Sequence, residues 1–155
     1  MGYNEEKQRQ LDMRYLRMAR IWAENSYCVR RKVGALIVKD KMIISDGYNG
    51  TPSGFENVCE DDEGHTKPYV LHAEANAIIC ASRRDMIGAT LYLVGKEVPT
   101  GEYVKDAMCC SMCKRLVINA GIEKVIVRDD KERYRVIEVA QWIADDESLK
   151  GVLGY

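Results

Sequence analysis

The sequence predicts an α/β fold, a three-layer α-β-α arrangement around a mixed sheet of about five strands. Two observations carry that expectation. Short β-branched runs, "VGALIVKD" (33–40), "ATLYLVG" (89–95) and "EKVIVRD" (123–129), are bounded by turn residues as strands are. Helix-period segments fall between them, so the later strands need crossovers that cover the sheet on its faces. The chain has 155 residues, 46% hydrophobic and 30% charged, enough to close one core. No repeat, low-complexity stretch or linker divides it, so one domain over 1–155 is expected.

The elements follow in order. Leu11, Tyr15, Met18, Ala19 and Trp22 keep helical spacing, which predicts an amphipathic helix ending near Ser26. "VGALIVKD" and "KMIISDGYNG" (41–50) predict a hairpin. The stretch 51–70 mixes Pro, Gly and acidic residues without periodicity. It reads as a long loop, and loops of that length inside compact domains usually carry function. A helix over about 72–84 and a buried strand at 89–95 come next. The segment 95–108 lacks strong pattern. A further helix begins in "CCSMCKRLVINAG" and stops at Gly121, and the strand 123–129 follows it. The end, "KERYRVIEVAQWIADDESLKGVLGY", reads as a strand near 134–139 and a short helix carrying Trp142. "DDKER" is too short for a parallel crossover, so that strand should pair antiparallel.

Bulk properties exclude several classes. A formal net charge of −1 gives the whole chain no electrostatic case for a nucleic-acid polymer. The apolar runs are too short to span a bilayer, and the polar start "MGYNEEKQRQ" carries no export pattern. A cytoplasmic location is therefore expected, with the six cysteines as reduced thiols. Charge is uneven, however: Arg14, Arg17, Arg20, Arg30, Arg31 and Lys32 crowd the first quarter. They form either a solvated helix face or phosphate contacts for something small.

The residues that carry chemistry lie at two helix heads. In "LHAEANAII" (71–79), His72 and Glu74 precede and enter a small apolar run. An i, i+2 pair can share one pocket only where a helix begins. Cys110 and Cys113 stand three apart at the next helix head, on one face, where the positive helix end should favour thiolates. One histidine and two cysteines leave a tetrahedral zinc with an open position, the catalytic type of site. A lone histidine before a helix is more often a cap, and a lone C-x-x-C is ambiguous. The combination H-x-E…C-x-x-C is much more specific, being the signature of zinc nucleobase deaminases.

Further stretches, "RRKVGALIVKD", "GYNGTPSGFENVC", "LHAEANAI", "GATLYL" and "INAGIEKVIV", resemble the zinc-dependent cytidine/deoxycytidylate deaminase family, most of all its deoxycytidylate (dCMP) branch. The likeness covers roughly 11–128. It implies a cytidine deaminase-like fold and hydrolytic deamination of dCMP to dUMP. His72, Cys110 and Cys113 would bind Zn2+, Glu74 would shuttle protons, and Asn49 would hydrogen-bond the nucleotide. It also implies a homo-oligomer, dimer to hexamer, and dCTP and dTTP as effectors with Mg2+. The family's proline before the first cysteine is Cys109 here, so three thiols compete for two places. Cys110 and Cys113 are favoured because Cys109 replaces a residue that never ligates.

Some family members hold a second, structural zinc, and Cys28, Cys59 and His65 occupy the corresponding regions. Cys80 is expected as a small core residue. The segment "GKEVPTGEYVKDAM" is longer than the family's usual link and leads into the cysteine pair. It leaves room for another cytosine or modified pyrimidine nucleotide as substrate. A zinc-binding nucleotide sensor without turnover is the remaining alternative.

Overall fold

The computed structural model describes residues 2–104, 107 and 109–145. Five strands form one mixed sheet in the order β2-β1-β3-β4-β5. They are β1 (Arg31–Lys39), β2 (Met42–Tyr48), β3 (Thr90–Glu97), β4 (Lys124–Arg128) and β5 (Tyr134–Glu138). The β1–β2 hairpin, β1–β3 and β4–β5 pairs are antiparallel, while β3 and β4 are parallel. Strand β5 and the helix α5 (Val139–Asp145) that buries Trp142 match the sequence reading of the chain's end.

Alternation along the strands sends side chains to two apolar layers. Ala35, Ile37, Leu91, Leu93, Val125 and Val127 pack beneath α2 (Ala73–Ile79), α4 (Ser111–Ala120) and α5. Leu36, Val38, Tyr92, Val94 and Ile126 meet Tyr15, Leu16 and Ala19 of α1 (Tyr3–Ala23) on the other face. Helix α1 starts earlier than its apolar stripe, since Glu5 and Glu6 occupy a first turn that favours negative charge. It lies so close to β1 that a Cβ on Gly34 would meet the Ala19 carbonyl at 1.9 Å.

The helix expected over 72–84 is shorter. It ends at Ile79, and Ser82 starts a separate turn, α3 (Arg83–Met86), by accepting a hydrogen bond from the Asp85 N–H. Cys80 is the C-cap between them and is exposed, not a core residue. Gly121 closes α4 at φ 84°, where a residue with a Cβ would be strained.

The long loop 51–70 is tethered at several points. A disulfide joins Cys28 to Cys59, which corrects the expectation that all thiols are reduced. Glu60 accepts hydrogen bonds from the Val29 and Arg30 N–H groups at 3.1 Å. Isolated bridges link Gly50 to Leu71 and Glu60 to Thr66.

Candidate active site

Gly47 makes the approach of α2 to the sheet feasible. A Cβ there would lie 2.4 Å from the Ala73 carbonyl oxygen and 2.6 Å from the Ala77 nitrogen. Two polar ties hold the helix in that seat. The Ser45 hydroxyl donates to the Ala77 carbonyl at 2.6 Å, and the Asn76 amide donates to the Tyr48 carbonyl at 2.8 Å. Small residues therefore fix where His72 and Glu74 project.

His72 is the N-cap residue of α2 and Cys110 that of α4, both in extended conformation, and neither side chain caps its helix. Each is instead turned toward the other. His72 Nδ1 lies 3.5 Å from Cys110 Sγ and 3.3 Å from Cys113 Sγ. The three donor atoms all fall within 4.8 Å of one another. Bonds of about 2.0 Å to nitrogen and 2.3 Å to sulfur at tetrahedral angles place N and S about 3.5 Å apart, so this donor set fits a zinc ion. Three protein donors, not four, leave one position for a small molecule.

Thiol chemistry supports the fit in a different way from the one expected. Burial first, then the charges of Glu74 and Cys110, pushes the Cys113 thiol well above its ordinary value. A cation beside it would favour the thiolate. The Cys109 thiol is pushed up too, by burial and then by the Glu74 charge, to which it is hydrogen-bonded. Cys109 lies outside the His72–Cys110–Cys113 donor group. It is a buried neighbour of the carboxylate.

Glu74 is 5% exposed and lies in the first turn of α2. It lines a cavity of about 290 Å3 with His72, Cys110, Asn49, Arg30 and Arg31, near the lower end of small-molecule sites. Asn49 is 9% exposed. Its Oδ1 accepts from the Val33 N–H at 2.8 Å, and its Nδ2 donates to the Arg31 carbonyl at 2.9 Å. One amide N–H remains for a ligand. Arg31 also pairs with Glu97 at 2.9 Å.

Lys32 is not in this cavity. Strand alternation turns it to the α1 side, where it lines another depression with Arg20 and Lys96. The second-zinc set is not assembled either. Cys28 and Cys59 are bonded to each other. His65, with its side chain 72% exposed, lies 3.6 Å from Glu63 and 3.7 Å from Asp61 of its own loop.

Glu60, an acidic residue of the long loop, also lines the cavity, as do Thr66, Val70, Val104 and Ala107. The types of the last four carry no chemical signal, and tertiary contact alone brings them in. Val104 and Ala107 place the segment after β3 against the site, while Lys105, Asp106 and Met108 lie outside the described residues.

Residues 9–129 match the family described as "Cytidine and deoxycytidylate deaminase zinc-binding region". The chain belongs to the cytidine and deoxycytidylate deaminase family. Within it, the deoxycytidylate deaminase of Mycobacterium phage D29 is 34% identical over 129 residues, 74% of this chain and 91% of the phage protein. The human deoxycytidylate deaminase is 33% identical over 129 residues, covering 76% of this chain but 64% of the human one. Among solved structures, the dCMP deaminase of cyanophage S-TIM5 in complex with dCMP and dUMP superposes with a TM-score of 0.63. It is 29% identical, over 97% of this chain and 93% of the phage enzyme. The fold thus belongs to this deaminase family, and one group of residues that could hold a metal ion forms among the described residues.

Proposed function

We propose that this chain hydrolytically deaminates dCMP to dUMP, with His72, Cys110 and Cys113 holding Zn2+ and Glu74 as the catalytic proton carrier. The convergence of His72 with the cysteine pair beside a buried glutamate carries the reading. The named activities of the phage and human relatives support the choice of nucleotide.

Zinc, when bound, supplies the Lewis acidity that makes water a usable nucleophile near neutral pH. The remaining work falls to the chain itself. Glu74 takes a proton from the attacking water and delivers it to ring nitrogen N3, which makes C4 electrophilic. As oxygen adds at C4, the same carboxylate carries a proton to the exocyclic amine, which leaves as ammonia. Asn49 presents its free amide N–H to the nucleotide, and Arg30 and Arg31 at the cavity mouth supply charge for its phosphate. Glu60, by holding the Val29 and Arg30 backbone, fixes where that charge sits.

The reading includes a homo-oligomer and dCTP and dTTP effectors with Mg2+, as the family resemblance implies. One observation favours a second substrate. Val104 and Ala107 belong to the lengthened segment and line the cavity, which suits a modified pyrimidine nucleotide.

The deciding experiment incubates pure protein with dCMP, CMP, dCTP, deoxycytidine and single-stranded DNA and measures ammonia. Preferential release from dCMP is expected. Comparable turnover of deoxycytidine would remove the case for phosphate recognition.

A further inference from the structure

The lengthened segment after β3 folds back on itself as a hairpin. The Glu97 N–H donates to the Glu102 carbonyl at 2.8 Å, and the Glu97 carbonyl accepts from the Gly101 N–H at 2.8 Å. Gly101 has φ 72°, a conformation that suits a residue without a Cβ. Further along, the Val104 N–H donates to the Gly95 carbonyl at 2.9 Å, and a bridge pairs Lys96 with Tyr103. The Lys96 ammonium lies 3.9 Å from the centre of the Tyr103 ring. Both backbone polar groups of Glu97 are thus fixed within its own turn, and only its carboxylate reaches another element.

That carboxylate meets Arg31. The two residues stand opposite each other in the antiparallel β1–β3 register, 66 positions apart in the chain, so their side chains share one face. Glu97 Oε1 accepts from the Arg31 Nε–H at 2.9 Å. The neighbouring peptide adds a second tie, with the Val98 N–H donating to the Arg30 carbonyl at 3.1 Å. From the other side, Asn49 Nδ2 donates to the Arg31 carbonyl at 2.9 Å. Arg31 lines the deaminase cavity, whereas Glu97 lines the adjacent depression with Lys32 and Lys96.

Stability does not account for this pair. With 47% of the Arg31 side chain and 30% of the Glu97 side chain exposed, an ion pair contributes little to folding. Its geometry matters more. A guanidinium holds its N–H donors in one rigid plane, so a bond at Nε fixes that plane and leaves the terminal nitrogens as a fork for phosphate oxygens. Without the carboxylate, Arg31 would lose rotamer freedom at each binding event. We propose that Glu97 is a positioning residue, which orients Arg31 as the phosphate fork of the cavity and acts through it rather than on the nucleotide. The inference rests on the reading of that cavity as a nucleotide site. Charge alone would act in the opposite direction, because a carboxylate close to an anion repels it. The sign of the effect therefore separates positioning from mere proximity.

The test measures binding of dUMP and deoxyuridine to the zinc-loaded full chain by calorimetry, beside ammonia release from dCMP and deoxycytidine. Glu97→Gln should weaken dUMP binding about three- to tenfold, the cost of immobilising one long side chain. The KM for dCMP should rise by the same factor with kcat unchanged, while the two ligands without phosphate keep their values. The double variant Glu97→Gln/Arg31→Gln should be no worse than Arg31→Gln alone, since both changes act through one fork. Glu102→Gln, the same change of charge on the same hairpin, should leave binding as it is. Tighter or unchanged dUMP binding in Glu97→Gln, an equal loss for deoxyuridine, or additive losses in the double variant would overturn the proposal. So would an unaltered chain that binds dUMP no better than deoxyuridine. No ammonia from dCMP, with the phosphate-dependent loss in Glu97→Gln still present, would remove the deaminase reading and uphold the positioning role.

Discussion

His72 Nδ1 lies 3.3 Å from the sulfur of Cys113, a residue 41 positions later in the chain. Neither side chain's own helix accounts for that proximity. It depends on α2 and α4 starting at the same end of the sheet and on Gly47 letting α2 sit against β2. If this seat places the metal ligands, Gly47→Ala should be damaging although it adds a single methyl group. We expect a loss of about 2 kcal/mol or more, read as a melting-temperature fall of roughly 4–8 °C, together with weaker zinc retention. Unchanged melting and zinc content would show that the close approach is not required.

Replacing Glu74 with Gln keeps the shape and removes the proton carrier. Turnover of dCMP should fall by about 10²–10⁴-fold, while zinc content and substrate binding persist. Near-normal turnover would assign the proton work elsewhere.

Burial holds the Cys113 thiol protonated at neutral pH, and that proton must leave before the sulfur can bind a metal. Raising the pH should therefore strengthen zinc binding, and acidification should release the ion, with protons liberated on loading. Competition against a chelator across about pH 6–8 checks the sign. Affinity that is flat, or that improves in acid, would contradict thiolate ligation.

The Cys28–Cys59 disulfide ties the loop carrying Glu60 to the segment before β1. The double variant Cys28→Ser/Cys59→Ser should lower stability by about 2–4 kcal/mol and leave zinc at one ion per chain. Loss of a second zinc in that variant would restore the structural metal site that the sequence suggested.

What the sequence made legible is what local periodicity and spacing encode. Short β-branched runs bounded by turn residues identified the strands, and the brevity of "DDKER" pointed to an antiparallel β5, as found. His72, Glu74 and the C-x-x-C pair stood out because few other patterns use those residues together. The break at Cys80 was not legible, since "AIICAS" continues a helical pattern until Ser82 caps a new turn. Nor was the disulfide. Cys28 and Cys59 are 31 residues apart, and their spacing serves a metal site as well as a bond. Lys32 parts from Arg30 and Arg31 because strand alternation splits a cluster that is continuous in sequence.

The central claim is one zinc held by an imidazole and two thiolates, with a position left for a small molecule. X-ray absorption at the zinc edge of the purified protein tests it most directly. Two sulfur donors, one imidazole nitrogen and one further light donor that azide or substrate displaces are expected. A closed set of four protein donors, or a shell without sulfur, would contradict it.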